Sequence, residues 1–355
     1  MSPRTLRFDL KQPDTEALGE AAEALRGGAL CVIPTETVYG IAARADDPEA
    51  VARLYALKRR PLDQPCARLI ADAGAIEDLL PNSAVKRLAS LAWPGPLTLV
   101  LEQRGQRVGY RVPEPLGLRQ LLLSAACPII ATSANLSGGQ DGLTVESLAD
   151  EIRAGVELIL DAGPSRLGRP STVLSCAADG RLEMLREGAL SRSEIQAFSA
   201  RLVLFVCTGN TCRSPMAEHL LSRRLAEALQ LSPAELLAEG LQIGSCGTHA
   251  CDGAPASEGS LRAMALRGLD ISAHSSRAIT PALLSRADLV YCLGSSHHAR
   301  LAQSYPEYAG KLRLLDPSGV PDPFGGDLDT YLGCARHIEE RVEAIVSDIM
   351  ESESP

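Results

Sequence analysis

Residues 201–215 read RLVLFVCTGNTCRSP. An apolar strand ends on Cys207, a short polar loop follows, and a helix opens at Ser214-Pro215, where proline's missing N–H costs nothing. A buried strand joined so tightly to a helix belongs in an α/β layer, where parallel strands end as helices begin. The rest of this part keeps the alternation. Strands are expected at LQIGSCG, ADLVYCL and KLRLLD, and helices at 215–231, at ASEGSLRAMALRGL and over a long final stretch from Thr330. The pattern predicts a doubly wound parallel sheet over 201–352, with its active loops at the carboxyl ends of the strands.

Such a loop turns its backbone N–H groups and the positive end of a helix inward, which makes a cradle for a phosphate dianion. The same field favours the nucleophilic thiolate of Cys207. Arg213 presents a planar two-donor fork to two phosphate oxygens. Ser214 is placed to donate to the sulfur, and Gly209 permits the turn. Unpaired cysteines are more often small buried hydrophobes. Strand, Cys, five residues, Arg-Ser-Pro and helix together favour a cysteine-dependent phosphatase. It needs no cofactor, but it needs a proton donor for the leaving group, and Asp316 and Asp322 are both available.

With these motifs, residues 201–350 resemble the low-molecular-weight protein tyrosine phosphatase family. The resemblance places the general acid at Asp322, in VPDPFGGDLDTY, and leaves Asp316, in LLDPSG, as a turn former. It implies that Asn210, Ser245 and His274 brace the loop. Cys212 is a candidate for a reversible disulfide with Cys207. The form CTGNTCRSP with DPFGG looks like the subgroup that dephosphorylates protein arginine. Thr211 is the specificity candidate, because its hydroxyl can accept from a guanidinium N–H where an aliphatic side chain cannot. Phosphotyrosine specificity is the competing reading.

The first part alternates helices and strands less regularly: helices over 17–28, 47–60, 83–93 and 144–155, and strands at ALCVIPT, LTLVLEQ, PIIATSA, GVELILDAG and STVLSC. Strands that follow one another near its end predict a twisted mixed-sheet α/β domain over 1–196. The polar stretch 191–200 is the expected boundary. Motifs occur in a fixed order: IPTETVYGIAA (33–43), KRRP (58–61), WPGPLTLVL (93–101), YRVPEP (110–115), ATSANLSG (131–138) and RPSTVLS (169–175). Together they resemble the YrdC-like family of threonylcarbamoyl-adenylate synthases over 12–190.

That resemblance implies condensation of L-threonine, bicarbonate and ATP, with Mg²⁺ accompanying the ATP, to a product used for tRNA threonylcarbamoyladenosine. Lys58, Arg60, Ser133, Asn135, Arg111 and Ser171 would bind ATP, and Thr35 and Tyr39 would line the threonine side. Such chemistry asks the protein mainly to orient reactants and neutralise phosphate charge. Gln64-Pro65-Cys66 replaces the family's Lys-Pro-Leu, which puts one phosphate contact in doubt. A double-stranded-RNA-binding module and a carbamoyl-transfer module are the competing readings.

Charge and composition narrow the setting. The net charge is −9 and both parts are acidic, so neither reads in bulk as a nucleic-acid binder. Lysine occurs only at 11, 58, 86 and 311, and all six histidines lie beyond residue 200. Whatever the first part catalyses, it does so without histidine. Ten scattered cysteines, no signal-peptide pattern and no membrane-length apolar run predict a cytoplasmic protein without membrane association. The expected partners are phosphorylated proteins, and tRNA or tRNA-modification proteins.

Overall fold

The computed structural model describes residues 3–61 and 63–352. The chain divides between Ser199 and Ala200 into two units.

In the first unit ten strands form one mixed sheet: β1 (Arg4–Arg7), β2 (Cys31–Ile33), β3 (Gly40–Arg44), β4 (Ala67–Leu69), β5 (Leu97–Gln103), β6 (Gln106–Arg111), β7 (Ile129–Ser133), β8 (Leu158–Asp161), β9 (Thr172–Cys176) and β10 (Leu182–Arg186). Their spatial order is β1-β8-β2-β3-β7-β4-β6-β5-β9-β10. Asp14, Asp47 and Asn82 start the main helices by accepting from N–H groups of the first turn. Helix Pro48–Lys58 stops where Arg59 turns left-handed, at φ 51°.

Side-chain alternation explains where this sheet is solid and where it opens. In β2, Cys31 and Ile33 pack under helices Thr15–Arg26 and Leu116–Ala125, while Val32 packs under helix Pro48–Lys58. Both faces are buried there, so the strand reads as a continuous apolar run. In β5, Leu97, Leu99 and Leu101 pack on helix Ser83–Ala92, but Thr98 and Val100 turn the other way and line a cavity.

Two local expectations change. The helix expected over 144–155 shrinks to Asp150–Ala154. The Ser147 hydroxyl accepts from the N–H groups of Leu143 and Thr144 and holds that stretch in a turn. The stretch 191–200 contains helix Arg192–Ser199, which buries Ile195 against helix Ser83–Ala92.

Among the described residues the second unit has four strands, β11 (Arg201–Cys207), β12 (Leu241–Gly247), β13 (Leu289–Cys292) and β14 (Leu312–Leu314), all parallel and ordered β12-β11-β13-β14. Leu202, Leu204 and Val206 face one core, with Leu284 and Leu301. Val203 and Phe205 face the other, with helices Arg213–Leu229 and Leu328–Ser352. Helices on both faces leave the carboxyl edge of the sheet as the place for loops. Among the described residues no helix is long and apolar enough to cross a membrane.

Phe205 is fully buried and stacks on Tyr291, with centroids 5.8 Å apart. Phe205→Ala should therefore destabilise the second unit by about 3–5 kcal/mol, read as a lower urea midpoint for that unit.

Candidate active sites

In the second unit β11 delivers Cys207, 2% exposed, to the loop, and helix Arg213–Leu229 begins six residues later. Asn210 sits between them in the left-handed region, at φ 55°, which asparagine tolerates better than most residues. Its side chain is fully used. Nδ2 donates to Ser214 Oγ (2.9 Å) and Ser245 Oγ (2.8 Å), and Oδ1 accepts from the Arg277 N–H (2.9 Å). His274 Nε2 donates to the Asn210 carbonyl (2.7 Å).

These bonds restrict where the Ser214 proton can point. Ser214 Oγ already accepts from Asn210, and its own hydrogen has two acceptors to choose between: Cys207 Sγ at 3.0 Å and the Cys246 carbonyl at 3.4 Å. The shorter of the two contacts lies toward the sulfur. Ser245 in turn donates to Glu218 Oε2 at 2.6 Å. Gly247, at the end of β12, lies against this loop. A Cβ there would come within 2.5 Å of the Thr208 carbonyl and 2.9 Å of the Asn210 nitrogen.

Arg213 is 8% exposed, and its Nη2 donates to Asp322 Oδ2 at 2.6 Å. The proposed acid thus rests on the group that would hold phosphate. Thr211 lies beside Gly209, and a Cβ on that glycine would be 3.5 Å from Thr211 Oγ1. The Cys212 thiol donates to Ser257 Oγ (3.3 Å) and lies 3.7 Å from Tyr331 Oη. Asp316 is elsewhere and buried. Its Oδ1 accepts from the Ser318 hydroxyl (2.6 Å) and N–H (2.8 Å), and its Oδ2 lies 2.7 Å from Arg341 Nε and 2.9 Å from His337 Nε2 as ion-pair partners. Hydrogen bonds from Ser318, helped by Arg341 and His337, hold its carboxyl down to about 2.

In the first unit Thr35, Tyr39, Arg60, Arg111, Ser133 and Ser171 all line one cavity. Thr35 Oγ1 donates to the Val38 carbonyl (2.6 Å) and lies 2.7 Å from Thr37 Oγ1. The Tyr39 hydroxyl donates to the Gly163 carbonyl (2.8 Å), and burial pushes it up to about 12. Arg111 donates to Glu36 Oε1 (2.7 Å) and Thr37 Oγ1 (2.9 Å). Arg60 is held by the main-chain carbonyls of Gln64 (2.7 Å) and Pro65 (3.3 Å), contacts that any side chain at those positions would permit.

Lys58 and Asn135 are not part of that lining. Lys58, 2% exposed, spends its three donors on the Ser133 carbonyl (2.5 Å), the Asn135 carbonyl (2.7 Å) and Asn135 Oδ1 (2.8 Å). Burial, and then Arg60, push it down to about 8, so it is still an ammonium at neutral pH. Its position makes it a clamp on the 133–135 loop.

Sequence reading missed Glu36, Thr37, Thr98 and Arg186. Arg186 lines the same cavity and donates to the Ser171 carbonyl (2.9 Å) and hydroxyl (3.3 Å). The register of β10 on β9 slips between Met184 and Arg186, a bulge that re-aims the arginine. Burial lowers its pKa first, and Arg111 and Arg60 lower it further, so three guanidinium groups share one field. Glu36 left a signal, since an acid inside an apolar motif needs a cation.

Comparison with known proteins divides the chain in the same way. A family model for Sua5, YciO and YrdC proteins, described as "Telomere recombination", matches residues 23–188, and one for low molecular weight phosphotyrosine protein phosphatases matches 202–354. Over 195 residues the chain is 38% identical to a threonylcarbamoyl-AMP synthase of Bacillus subtilis, covering 51% of this chain and 56% of that protein. A putative threonylcarbamoyl-AMP synthase of Mycobacterium leprae is 34% identical over 206 residues, covering 53% of this chain and 91% of its own length. Among solved structures, the YwlE arginine phosphatase from Geobacillus stearothermophilus is 28% identical, with 43% of this chain and 95% of that chain covered and a TM-score of 0.38. The chain thus spans only about half of the first curated relatives it matches: 56% and 55% of their lengths.

The depressed Asp316 carboxyl stabilises the folded state at pH values above the ordinary 3.8, and that contribution is lost as pH falls from there through about 2. Asp316→Asn should be less stable than the parent at neutral pH. Urea denaturation at several pH values should show the difference between the two proteins shrinking across that window.

Proposed function

Because the chain joins a domain of the Sua5/YciO/YrdC family to a low molecular weight phosphotyrosine protein phosphatase domain, we propose that it is a bifunctional enzyme: an L-threonylcarbamoyladenylate synthase and a protein phosphatase selective for phosphoarginine.

For the phosphatase, the observation that supports the reading is the Ser214 hydroxyl 3.0 Å from Cys207 Sγ, in a loop that also offers Arg213 and Asp322. A phosphoryl group entering the loop takes the Arg213 fork. The Cys207 thiolate attacks phosphorus, the bond to the arginine nitrogen breaks, and Asp322 gives its proton to that nitrogen. Asp322 then removes a proton from water, which attacks the phosphocysteine. The S–P bond breaks, and Ser214 stabilises the departing thiolate. Thr211 contributes an acceptor for the guanidinium.

For the synthase, the supporting observation is the convergence of Arg60, Arg111 and Arg186 on a cavity that also holds the Thr35 and Thr37 hydroxyls. The amino group of threonine and bicarbonate give an N-carboxylate with loss of water. That carboxylate attacks the α-phosphorus of ATP and pyrophosphate leaves. The arginines neutralise the triphosphate, with which Mg²⁺ enters. Thr35 and Tyr39 shape the threonine side, Ser171 is tied to Arg186, and Lys58 fixes Ser133 and Asn135. The product supplies tRNA modification in the cytoplasm.

Purified chain should release pyrophosphate only when threonine and bicarbonate accompany ATP. Arg186→Ala should lower that kcat/KM by on the order of 10²-fold. The chain should also hydrolyse phosphoarginine proteins faster than phosphotyrosine proteins. Cys207→Ser should abolish hydrolysis but leave pyrophosphate release intact, and Thr211→Ile should shift selectivity toward phosphotyrosine. Pyrophosphate release without threonine, or hydrolysis that survives in Cys207→Ser, would contradict the respective half.

A further inference from the structure

Thr208 follows the nucleophile directly and is exposed, and behind it lies His297, only 5% exposed. His297 stands in the first turn of helix Ser295–Ser304, just after β13, at the carboxyl edge of the sheet where β11 ends in Cys207. Its Nε2 is 2.9 Å from Thr208 Oγ1, while its Nδ1 is buried and has no hydrogen-bond partner among the described residues.

The unpartnered Nδ1 assigns the tautomer. A proton there would be a buried donor with no acceptor, whereas a bare lone pair is the lesser loss. The ring proton therefore sits on Nε2 and is donated to Thr208. Burial, and then the neighbouring Arg213, hold the imidazole down to about 4, so it is neutral at working pH. A threonine hydroxyl has one proton and two lone pairs. With one lone pair taken by His297, Thr208 keeps one donor and one acceptor at the rim beside Cys207.

We infer that Thr208, oriented by His297, is a second specificity-determining residue of the phosphatase pocket, offering its free lone pair to an N–H of a guanidinium leaving group. The inference rests on the phosphoarginine reading above. Together with Thr211 it would give the loop two hydroxyls, one on each side of Gly209 and Asn210. An aryl phosphate has no N–H to meet either of them. His297 is a positioning residue, acting only through Thr208.

The test compares kcat and KM of the parent, Thr208→Val, His297→Leu and His297→Gln on a phosphoarginine peptide, a phosphotyrosine peptide and p-nitrophenyl phosphate. The kcat/KM ratio of phosphoarginine to p-nitrophenyl phosphate should fall by about tenfold in Thr208→Val and His297→Leu, mainly through KM. His297→Gln, whose amide N–H can replace Nε2–H, should recover most of that ratio. Equal losses on all substrates, an unchanged ratio, or identical behaviour of the Leu and Gln variants would overturn the inference. A parent that prefers phosphotyrosine removes the phosphoarginine reading and this inference with it. A parent that prefers phosphoarginine, with ratios unmoved by the variants, removes this inference alone. If circular dichroism shows His297→Leu unfolded, Thr208→Val and His297→Gln decide the matter.

Discussion

One side-chain amide, that of Asn210, organises the phosphatase loop. Its two donors and one acceptor are all occupied, and the chain of donors it creates has a single direction. Ser245 turns its proton to Glu218, Asn210 turns its protons to both serines, and Ser214 is left facing the sulfur. Reversing Asn210 or Ser245 would leave a buried group unpaired, which is the costly outcome for a polar network in a low-dielectric interior. The left-handed backbone of Asn210 and the missing Cβ of Gly247 are steric conditions for the same arrangement.

The two sites share a second physical device. Each holds an arginine on an internal carboxylate: Arg213 on Asp322 and Arg111 on Glu36. A buried guanidinium left unpaired would be strongly destabilising. The carboxylates hold these cations in place. The two pairs differ in freedom. The Asp322 side chain is half exposed, whereas the Glu36 side chain is 2% exposed inside the fold.

Legibility followed locality. The second unit was readable because its chemistry lies in contiguous segments: strand, loop and helix put Cys207, Arg213 and Ser214 together by chain connectivity alone. Asn210, Ser245 and His274 could be named only through a family likeness, since nothing near Ser245 or His274 announces a bond across the fold. In the first unit the continuous apolar strands and capped helices were legible, but β4 has only three residues, and β10, with Glu183 and Arg186 among its five, has no continuous apolar run. Arg186 was invisible because a bulge, not a motif, turns it inward. Lys58 stood out as a rare lysine beside a motif, but its three bonds to carbonyl-type acceptors of Ser133 and Asn135 span the fold and have no local signal.

The loop account makes one chemical commitment, a phosphoryl group on the sulfur of Cys207. Acid-quenching the full chain during turnover of a phosphorylated protein, followed by mass spectrometry of its peptides, tests that commitment directly. The account predicts a phosphate adduct confined to the peptide that contains Cys207, and one that accumulates in Asp322→Asn turning over p-nitrophenyl phosphate, whose leaving group needs no proton, because water activation is then slowed. An adduct on another residue, or steady turnover with no covalent phosphate at any quench time in either protein, would contradict it.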